Sequence, residues 1–439
     1  MTGKYRAYPE YKDSGVEWLG EIPAHWTQVP FKRVCSLKTG LTPPTDNQAN
    51  YVDEENDKPW VRPEDLKENG NVITASKFLS QSGWELMRIV PPYSTLICCI
   101  GTIGKTGYVG SEVSSNQQIT SASFNSSPRF NYYLIQSAKE VLEETATGNV
   151  IQILNSERLG GIGFLSVPEM EANRIANFLD HETAKIDTLI EKQQRLIKLL
   201  KEKRQAVISH AVTKGLNPNV PMRDSGVEWL GEVPEHWRNS PLKHVSTIKY
   251  GIGEPPKYVE EGVSLIRATN IRSGKVSKIN LVFVNPDDIP ENRIVWLEEG
   301  DIIVVRSGAG TGDSAIIPND YEGSIAGFDM VVKPVKCSPE FLGHALLSNY
   351  IRNNQIDLEK TRAAQPHLNA EELGDCFVLL PPQTEQLEIV KHIDYELFKF
   401  DHLIQRAEKA IELMKERRTA LISAAVTGKI NVTSLNNYE

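Results

Sequence analysis

Three stretches of the sequence carry residue types that could support catalysis, and the first is Val90-Pro91-Pro92-Tyr93. Enzymes that methylate amino groups of DNA bases carry Asn or Asp before Pro-Pro-Tyr, because that side-chain oxygen accepts a hydrogen bond from the target amine. Valine cannot accept this bond, and nothing upstream forms a glycine-rich nucleotide loop between a strand and a helix. We therefore expect a turn before a strand here, and a stand-alone DNA methyltransferase is disfavoured.

The second stretch is a glycine-rich loop, GTIGKT, that begins at Gly101. A phosphate-binding P-loop has the pattern G-x-x-x-x-G-K-[ST], but the residue five positions before Gly104 is Cys99. The corresponding loop of the second half, SGAGTGD from Ser307, contains no lysine. A nucleotide site is therefore not expected, although backbone N–H groups of such loops can bind a DNA phosphate.

The third set, the histidines, and the cysteines form no recognisable metal or catalytic pattern. The nine histidines lack H-x-E and H-E-x-x-H spacing, and His25 and His236, which each precede a tryptophan, are expected to be packed structural residues. The five cysteines are odd in number and include no C-x-x-C pair, so neither structural zinc nor a disulfide framework is expected. We expect no cofactor, no metal and a reduced, cytoplasmic setting.

Polar side chains in the predicted loops could instead recognise DNA. Arginine pairs with guanine, and Asn or Gln with adenine, in the major groove, while Lys and Arg also bind phosphates. The candidates in the first half are Arg62, Lys105, Asn116, Gln117, Gln118, Asn149 and Gln152. The candidates in the second half are Lys249, Arg267, Asn270, Arg272, Arg306, Gln365 and His367. The two halves place arginines at matching positions, Arg62 and Arg267, although any single candidate could be an ordinary solvated residue.

The elements that would position these residues are duplicated. The stretch DSGVEWLGEIPAHW from Asp13 recurs as DSGVEWLGEVPEHW from Asp224, with 12 of 14 positions identical at an offset of 211. The stretch KEKRQAVISHAVT from Lys201 recurs as KERRTALISAAVT from Lys415, with 9 of 13 identical at an offset of 214. Between these matches the halves diverge strongly. The pattern is typical of one scaffold whose two copies recognise different things.

Each copy closes with a heptad pattern of apolar residues, which predicts a coiled-coil helix. The apolar positions of the first are Ile175, Leu179, Ile186, Leu189, Leu196, Leu200 and Val207. Those of the second are Ile389, Ile393, Phe400, Leu403, Ala407, Ala410, Met414 and Leu421. Two such helices separated by a folded insert most simply pair antiparallel. The alternative is that each helix packs on its own globular domain.

The inserts, about 27–167 and 238–380, are predicted to be mixed α/β, with β-rich runs over 94–100, 301–305 and 325–332.

The chain has 439 residues, 40% apolar and 24% charged, and a net charge of −9. This composition is ordinary for a globular protein and disfavours a uniformly basic DNA-coating protein, but it permits a local basic groove. No run of 18 apolar residues and no secretory signal is present, so no membrane partner is expected.

The duplicated unit, the divergent inserts, the long charged closing helices and the run Pro381-Pro382-Gln383-Thr384-Glu385-Gln386 together resemble specificity (S) subunits of type I restriction–modification systems. The resemblance extends over essentially the whole chain. It implies an α+β fold, in which two mixed α/β target recognition domains are separated by an antiparallel coiled coil of two long helices with pseudo-twofold repeat. The domains implied begin with a first target recognition domain that includes the repeat motif, over 1–168, and a first spacer helix over 169–212. A linker with the second target recognition domain follows over 213–380, then a second spacer helix over 381–428 and a tail over 429–439.

The resemblance also implies a function. Each domain would read one half of a split sequence in double-stranded DNA. The helices would set the spacing between the halves and dock two methyltransferase (M) subunits that modify adenine, and restriction (R) subunits would join this complex. The chain itself would not be catalytic. An alternative from another class, a coiled-coil adaptor with two protein-binding domains and no nucleic acid, rests on the heptads and the acidic charge.

Overall fold

The computed structural model describes residues 5–67, 71–72, 75–254, 256–272, 274–357 and 367–433. The chain forms two compact units. The first contains residues 1–194 and 409–439, and the second contains residues 195–408. Each unit therefore holds one globular α/β domain and a segment of each of two long helices.

The described strands of the first unit are β1 Tyr11–Asp13, β2 Glu21–Pro23, β3 Thr27–Pro30, β4 Cys35–Thr39, β5 Tyr51–Val52, β6 Trp60–Val61, β7 Asn71–Val72, β8 Phe78–Leu79, β9 Thr95–Cys98, β10 Thr106–Val109, β11 Ser114–Ser115, β12 Ile119–Phe124 and β13 Gly163–Ser166. Its short helices are α1 Gln81–Glu85, α2 Pro128–Ser137, α3 Lys139–Thr145 and α4 Ser156–Gly161, with 3₁₀ turns at Phe31–Arg33, Gln48–Asn50 and Pro63–Asp65. The main sheet has the order β4-β12-β9-β10-β7, antiparallel except for the β10–β7 pair.

The described strands of the second unit are β14 Met222–Asp224, β15 Glu232–Pro234, β16 Arg238–Pro241, β17 Ser246–Tyr250, β18 Tyr258–Val259, β19 Val263–Ile266, β20 Ile271–Arg272, β21 Lys275–Val276, β22 Val282–Val284, β23 Ile302–Val304, β24 Ser314–Ile316, β25 Ile325–Ala326, β26 Met330–Pro334 and β27 Phe377–Leu380. They form two four-stranded sheets, β17-β26-β23-β24 and β18-β22-β19-β25, and smaller pairs. The 3₁₀ turns are Leu242–His244, Ala268–Asn270, Pro286–Asp288, Glu291–Arg293 and Asn319–Tyr321.

The long helices are α5 Glu169–Lys214 and α9 Gln383–Val426, of 46 and 44 residues. The short helices between them are α6 Pro339–Leu347, α7 Asn349–Ile351, which continues as a π-turn over Arg352–Ile356, and α8 Ala370–Asp375. At 1.5 Å per residue the long helices measure about 69 and 66 Å. Each follows a proline, which suits a helix start, and carries acidic residues in its first turn.

Within each unit the two helix segments run antiparallel. In the first unit Trp26 contacts the start of α5, where Glu171 accepts its indole N–H, and Gly428, two residues beyond the end of α9. Further along the two helices, Arg418 Nε lies 3.0 Å from Asp187 Oδ1. In the second unit Arg204 Nε lies 3.8 Å from Asp401 Oδ1. The predicted antiparallel helix pair is thereby confirmed.

Both helix segments also complete the core of each globular domain. In the first unit Phe178 and Leu179 of α5 and Ile422 and Val426 of α9 are buried with Trp26. The equivalent cluster of the second unit contains α5 and α9 residues packed around a buried tryptophan, namely Ile208, Ala211, Val212, Ile389, Val390, Ile393 and Trp237. The helices are therefore both paired with each other and packed on the domains, which the sequence patterns presented as alternatives.

Two expectations need correction. The heptad positions Leu189, Leu196 and Leu403 are not buried, with 49%, 43% and 45% of each residue exposed, so the seam is loose there. The β-rich run 325–332 is two strands, because the chain breaks at Gly327-Phe328-Asp329 before β26. The predicted α+β class, with two mixed α/β domains, a coiled-coil helix pair and an internal repeat, is otherwise confirmed.

Candidate nucleic-acid interface

The glycine-rich loop of the first unit joins β9 to β10 in a hairpin. Gly101 and Gly104 have φ values of +84° and +76°, a conformation that favours glycine. The loop is fixed to a neighbouring segment, because Gly101 N–H donates to the Gln152 carbonyl at 3.2 Å and Leu154 N–H donates to the Cys99 carbonyl at 2.9 Å. Its own backbone, rather than a phosphate-binding lysine, shapes this loop. Gln152, whose carbonyl accepts the Gly101 N–H, is exposed, and Asn149 is also exposed.

Lys105 and Arg62 also lie together. Lys105 Nζ donates to the Pro63 carbonyl at 2.7 Å, which ties the glycine-rich loop to the 3₁₀ turn that follows Arg62. Arg62 Nη2 donates to Ser76 Oγ at 3.0 Å and pairs with Glu64 at 2.8 Å, while its backbone N–H donates to Asp65 Oδ2 at 2.9 Å. Both cations are half-buried, so they organise the loop as well as charging it.

Asn116, Gln117 and Gln118 form the turn that leads into β12. Asn116 is buried; its amide donates to Gln118 Oε1 at 2.9 Å, and its oxygen accepts the Gln118 N–H at 3.1 Å. Gln117 is exposed and accepts a hydrogen bond from the Thr42 hydroxyl. Gln117 therefore has the freest amide of the three, whereas Asn116 shapes the turn.

Arg267 of the second unit repeats the Arg62 arrangement, as the sequence comparison predicted. Each arginine precedes a 3₁₀ turn, and the backbone N–H of Arg267 donates to Asn270 Oδ1 at 3.2 Å. The Arg267 guanidinium donates to Tyr258 Oη at 3.3 Å and to the Asn280 carbonyl at 2.6 Å, and it lies over the Tyr258 ring.

Asn270 is placed differently from the expectation of a DNA-contacting side chain. It is fully buried, and its amide donates to the carbonyls of Ser277 and Ile279 at 3.1 Å each. Its oxygen accepts the Arg267 N–H, so both of its donors and one acceptor site serve the loop. The structure therefore shows Asn270 as a residue that shapes the loop and holds Arg267.

The glycine-rich loop of the second unit follows β23, and Arg306 stands at its start. The Arg306 guanidinium carbon lies 4.0 Å from the centre of the Phe328 ring and 4.7 Å from that of Tyr250. Its backbone N–H donates to Asp329 Oδ1 at 3.2 Å. Burial raises the pKa of the Asp329 carboxyl, against the opposing effects of backbone hydrogen bonds from Arg306 and Ala268 and of the Arg306 charge.

The remaining candidates of the second unit are less gathered. His367 is exposed, and its backbone forms an isolated antiparallel β-bridge with Ser307 of the glycine-rich loop. Lys249 is exposed and precedes Tyr250 in the chain. Arg272 is exposed at the end of β20. Gln365 lies outside the described residues.

Tyr250, Phe328 and Tyr258 were not among the residues selected from the sequence. Tyr250 and Phe328 are 44% and 43% exposed, and both rings contact the Arg306 guanidinium. The sequence Gly327-Phe328-Asp329 interrupts a predicted β-rich run, and this interruption could have identified Phe328 as a loop residue. Tyr258 offered no comparable signal.

The duplicated tryptophans form a further repeated contact at the base of each domain. Trp26 Nε1 donates to Glu171 Oε1 at 3.1 Å, and Trp237 Nε1 donates to Glu385 Oε1 at 3.1 Å. His25 and His236 lie 2.7 and 2.8 Å from the other oxygen of the same glutamates. The histidines are structural, but they are half-exposed partners of a carboxylate rather than packed core residues.

A close approach of two backbones fixes the loops in both units. A Cβ atom added at Gly40 would lie 2.2 Å from the Ser115 carbonyl oxygen, and one added at Gly251 would lie 1.8 Å from the Gly327 carbonyl oxygen. We expect Gly40→Ala and Gly251→Ala each to destabilise their unit by about 1–3 kcal/mol, because the backbone must shift.

Urea unfolding would measure this loss, and the chain supplies matched controls. Gly110 and Gly253 have no atom within 4 Å of an added Cβ and no positive φ, so Gly110→Ala and Gly253→Ala should leave stability nearly unchanged. Equal effects in all four variants would contradict the close approach.

Within the described part of the chain no group of three or more His, Cys, Asp or Glu side chains could hold a metal ion, and no helix is long and apolar enough to cross a membrane. The candidate site in each unit is a loop surface of arginine, lysine, amide and aromatic side chains around a glycine-rich hairpin. Such side chains suit contacts with phosphates and base edges.

The chain was compared with models of known protein families, and one family matches it. A family model described as "Type I restriction modification DNA specificity domain" matches residues 23–199 and 234–413, one match in each half. Together the matches cover well over half of the chain, so the chain belongs to this family.

Full-length relatives make the identification more specific. The EcoBI specificity subunit of Escherichia coli is 21% identical over 435 residues, covering 96% of this chain and 90% of the relative. The MjaVIII specificity subunit of Methanocaldococcus jannaschii is 24% identical over 430 residues, covering 94% of this chain and 95% of the relative. The chain is a specificity subunit of a type I restriction–modification system.

A solved structure supports the fold. A chain from a study of complex assembly and conformational transition of the type I R-M system superposes with a TM-score of 0.63 at 16% identity. The similarity covers 92% of this chain and 98% of that chain.

Proposed function

We propose that this subunit is a non-catalytic reader of a two-part sequence in double-stranded DNA. The domain within residues 1–168 reads one half, and the domain within residues 213–380 reads the other. The loop surfaces around the two glycine-rich hairpins supply the contacts, and adenine methylation and cleavage are carried out by partner subunits.

The observation that carries this proposal is one backbone arrangement with different side chains. Gly40 and Gly251 donate to equivalent carbonyls, those of Ile119 and Asp329, at 2.9 Å each. The turn just before those carbonyls carries Gln117-Gln118 in the first unit but Phe328 in the second.

The same holds in the hairpin. Cys99 and Arg306 each accept an N–H from the leucine of the adjoining segment, Leu154 or Leu368, at 2.9 Å, so they occupy equivalent places. One scaffold with unlike side chains at its exposed loops fits two readers with two different base preferences.

We further propose that the long helices fix the distance between the half-sites and dock two methyltransferase subunits, which restriction subunits then join. Apolar side chains that remain exposed on the helices support docking, since Leu199, Tyr395 and Phe398 are 51%, 63% and 72% exposed. A rigid link makes the second half-site contact intramolecular and so multiplies two weak preferences.

The test uses the chain assembled with its methyltransferase partner. Single-molecule sequencing of host DNA with and without this gene should reveal methylated adenines within one two-part motif. Scrambling either half of that motif should abolish tight binding by the complex. Methylation that is independent of the gene would contradict the proposal.

The paired arginines give a sharper prediction. Arg62→Ala should weaken recognition of one half-site and Arg267→Ala that of the other, each by about 5- to 100-fold, because each removes a cation and loosens one loop. Binding of the methyltransferase complex to DNA with single half-site changes would measure this.

Exposed arginines outside these loops provide the controls. Arg33→Ala in the first unit and Arg238→Ala in the second remove the same charge and should leave both half-site preferences intact. Loss of neither half-site preference in the Arg62 and Arg267 variants would argue against recognition by these loops.

A further inference from the structure

The stacked arginine of the second unit differs from the other loop arginines in how its guanidinium is held. Arg62 and Arg267 donate to oxygen atoms of their own loops. The Arg306 guanidinium carbon instead contacts two rings, at 4.0 Å from the Phe328 centre and 4.7 Å from the Tyr250 centre. Among the described residues no side-chain hydrogen bond or ion pair of Arg306 is present. Its Nε is buried without a partner, as are those of Arg62 and Arg267, so the difference lies in the terminal N–H groups.

These aromatic contacts use none of the guanidinium's hydrogen-bond donors, so its terminal N–H groups remain available. Arginine is planar and carries its donors in a rigid fork along one edge, which matches two acceptors in one plane. The two rings hold the guanidinium by cation–π attraction. Tyr250 is itself fixed, because its hydroxyl accepts the Ala370 N–H at 2.7 Å.

The surroundings of this fork belong to the proposed DNA surface. Phe328 follows Gly327, whose added Cβ would lie 3.2 Å from Arg267 Cγ, so Arg267 and the Arg306 stack adjoin. On the other side Arg306 precedes the glycine-rich loop, and Ser307 bridges to the exposed His367. A duplex lying on these loops would meet the Arg306 edge.

We propose that Arg306 is the residue by which the second domain recognises one guanine, pairing its fork with the O6 and N7 acceptors in the major groove. Guanine is the base that presents two acceptors in this way. The first unit lacks this device, because Cys99 stands in the equivalent place. This inference rests on the proposed function and names one base of one half-site.

The experiment begins by selecting preferred targets from random double-stranded DNA with the complete complex of this chain and its methyltransferase partner. Arg306→Lys and Arg306→Ala complexes are then compared on the selected target with each base pair of the second half-site changed in turn. We expect both variants to lose about 10- to 100-fold of discrimination at one guanine only. Lysine fails because it keeps the charge but not the fork.

A second measurement needs no variant. Replacing that guanine by 7-deazaguanine removes the N7 acceptor and should weaken binding of the unaltered complex about tenfold, while inosine, which keeps O6 and N7, should bind nearly as well. Phe328→Leu should lower discrimination at the same guanine and at no other position, whereas Tyr250→Phe, which keeps the ring, should lower it less.

The outcomes separate the inference from the function on which it rests. A selected second half-site without guanine, a uniform loss across all bases, or full activity of Arg306→Lys would overturn the guanine contact while two-part recognition stands. Absence of any two-part preference in the unaltered complex would overturn the proposed function and the guanine contact with it. Thermal unfolding of each variant complex would show that the protein is folded.

Discussion

Removing seven residues from each long helix should shorten the preferred spacing between the two half-sites by about three base pairs. Seven helical residues span about 10 Å, and base pairs stack about 3.4 Å apart. Residues 193–199 and 406–412 are suitable, because in sequence they lie between the Asp187–Arg418 pair and the Arg204–Asp401 pair. Removing seven residues rotates the rest of the helix by only about 20° about its axis, so its apolar side still points toward the partner helix.

The measurement is target selection by the shortened complex from DNA libraries in which the spacer between half-sites varies. Shortening one helix alone is the control, since it leaves seven residues without a partner and should reduce stability rather than give a new spacing. A doubly shortened protein that remains folded and keeps the original spacing would show that the helices are not the ruler.

Truncating the buried tryptophan of either unit should cause the largest loss of stability. Trp26 and Trp237 are 0% and 2% exposed, and each donates to a helix glutamate. Trp26→Ala and Trp237→Ala should each cost about 3–5 kcal/mol, because a large cavity opens and the indole hydrogen bond is lost. Hydrogen exchange read by mass spectrometry should show faster exchange in the unit that carries the substitution.

Trp229 provides the control. It belongs to the same duplicated stretch but is 40% exposed, so Trp229→Ala should cost less than about 1 kcal/mol. Similar losses for Trp229 and Trp237 would mean that burial at the base of the domain does not set stability.

The repeats and heptads in the sequence were sufficient to predict the long helices, their antiparallel pairing and the equivalence of Arg62 with Arg267. These features follow from local periodicity and from matched segments, which a single sequence displays directly. The structure adds equivalent caps that were not predicted, since Asn155 and Asn369 each begin a short helix through a side-chain oxygen that accepts backbone N–H groups.

The arrangement within the loops was not predictable in the same way. The Arg306 stack joins Tyr250, Arg306 and Phe328 from three separate segments of the chain, so neither spacing nor periodicity reveals it. Asn270 looked like a base-contacting amide but is buried, because only the fold shows which backbone carbonyls its amide satisfies. The exposure of Leu189 and Leu196 was not predicted either, because a heptad pattern marks apolar positions and does not show how fully the fold covers each of them.

The division of the chain between units has a consequence for synthesis on the ribosome. The second unit is one continuous segment, residues 195–408, whereas the first unit needs residues 409–439 as well as 1–194. Leu421, Ile422, Ala425 and Val426 fill the core of the first unit, and they are translated only after the whole of the second unit. The part of the first unit that is made first must therefore wait with an open core until the whole second unit has been translated, and a product terminated near residue 408 would hold every residue of the second unit but lack part of the first unit's core.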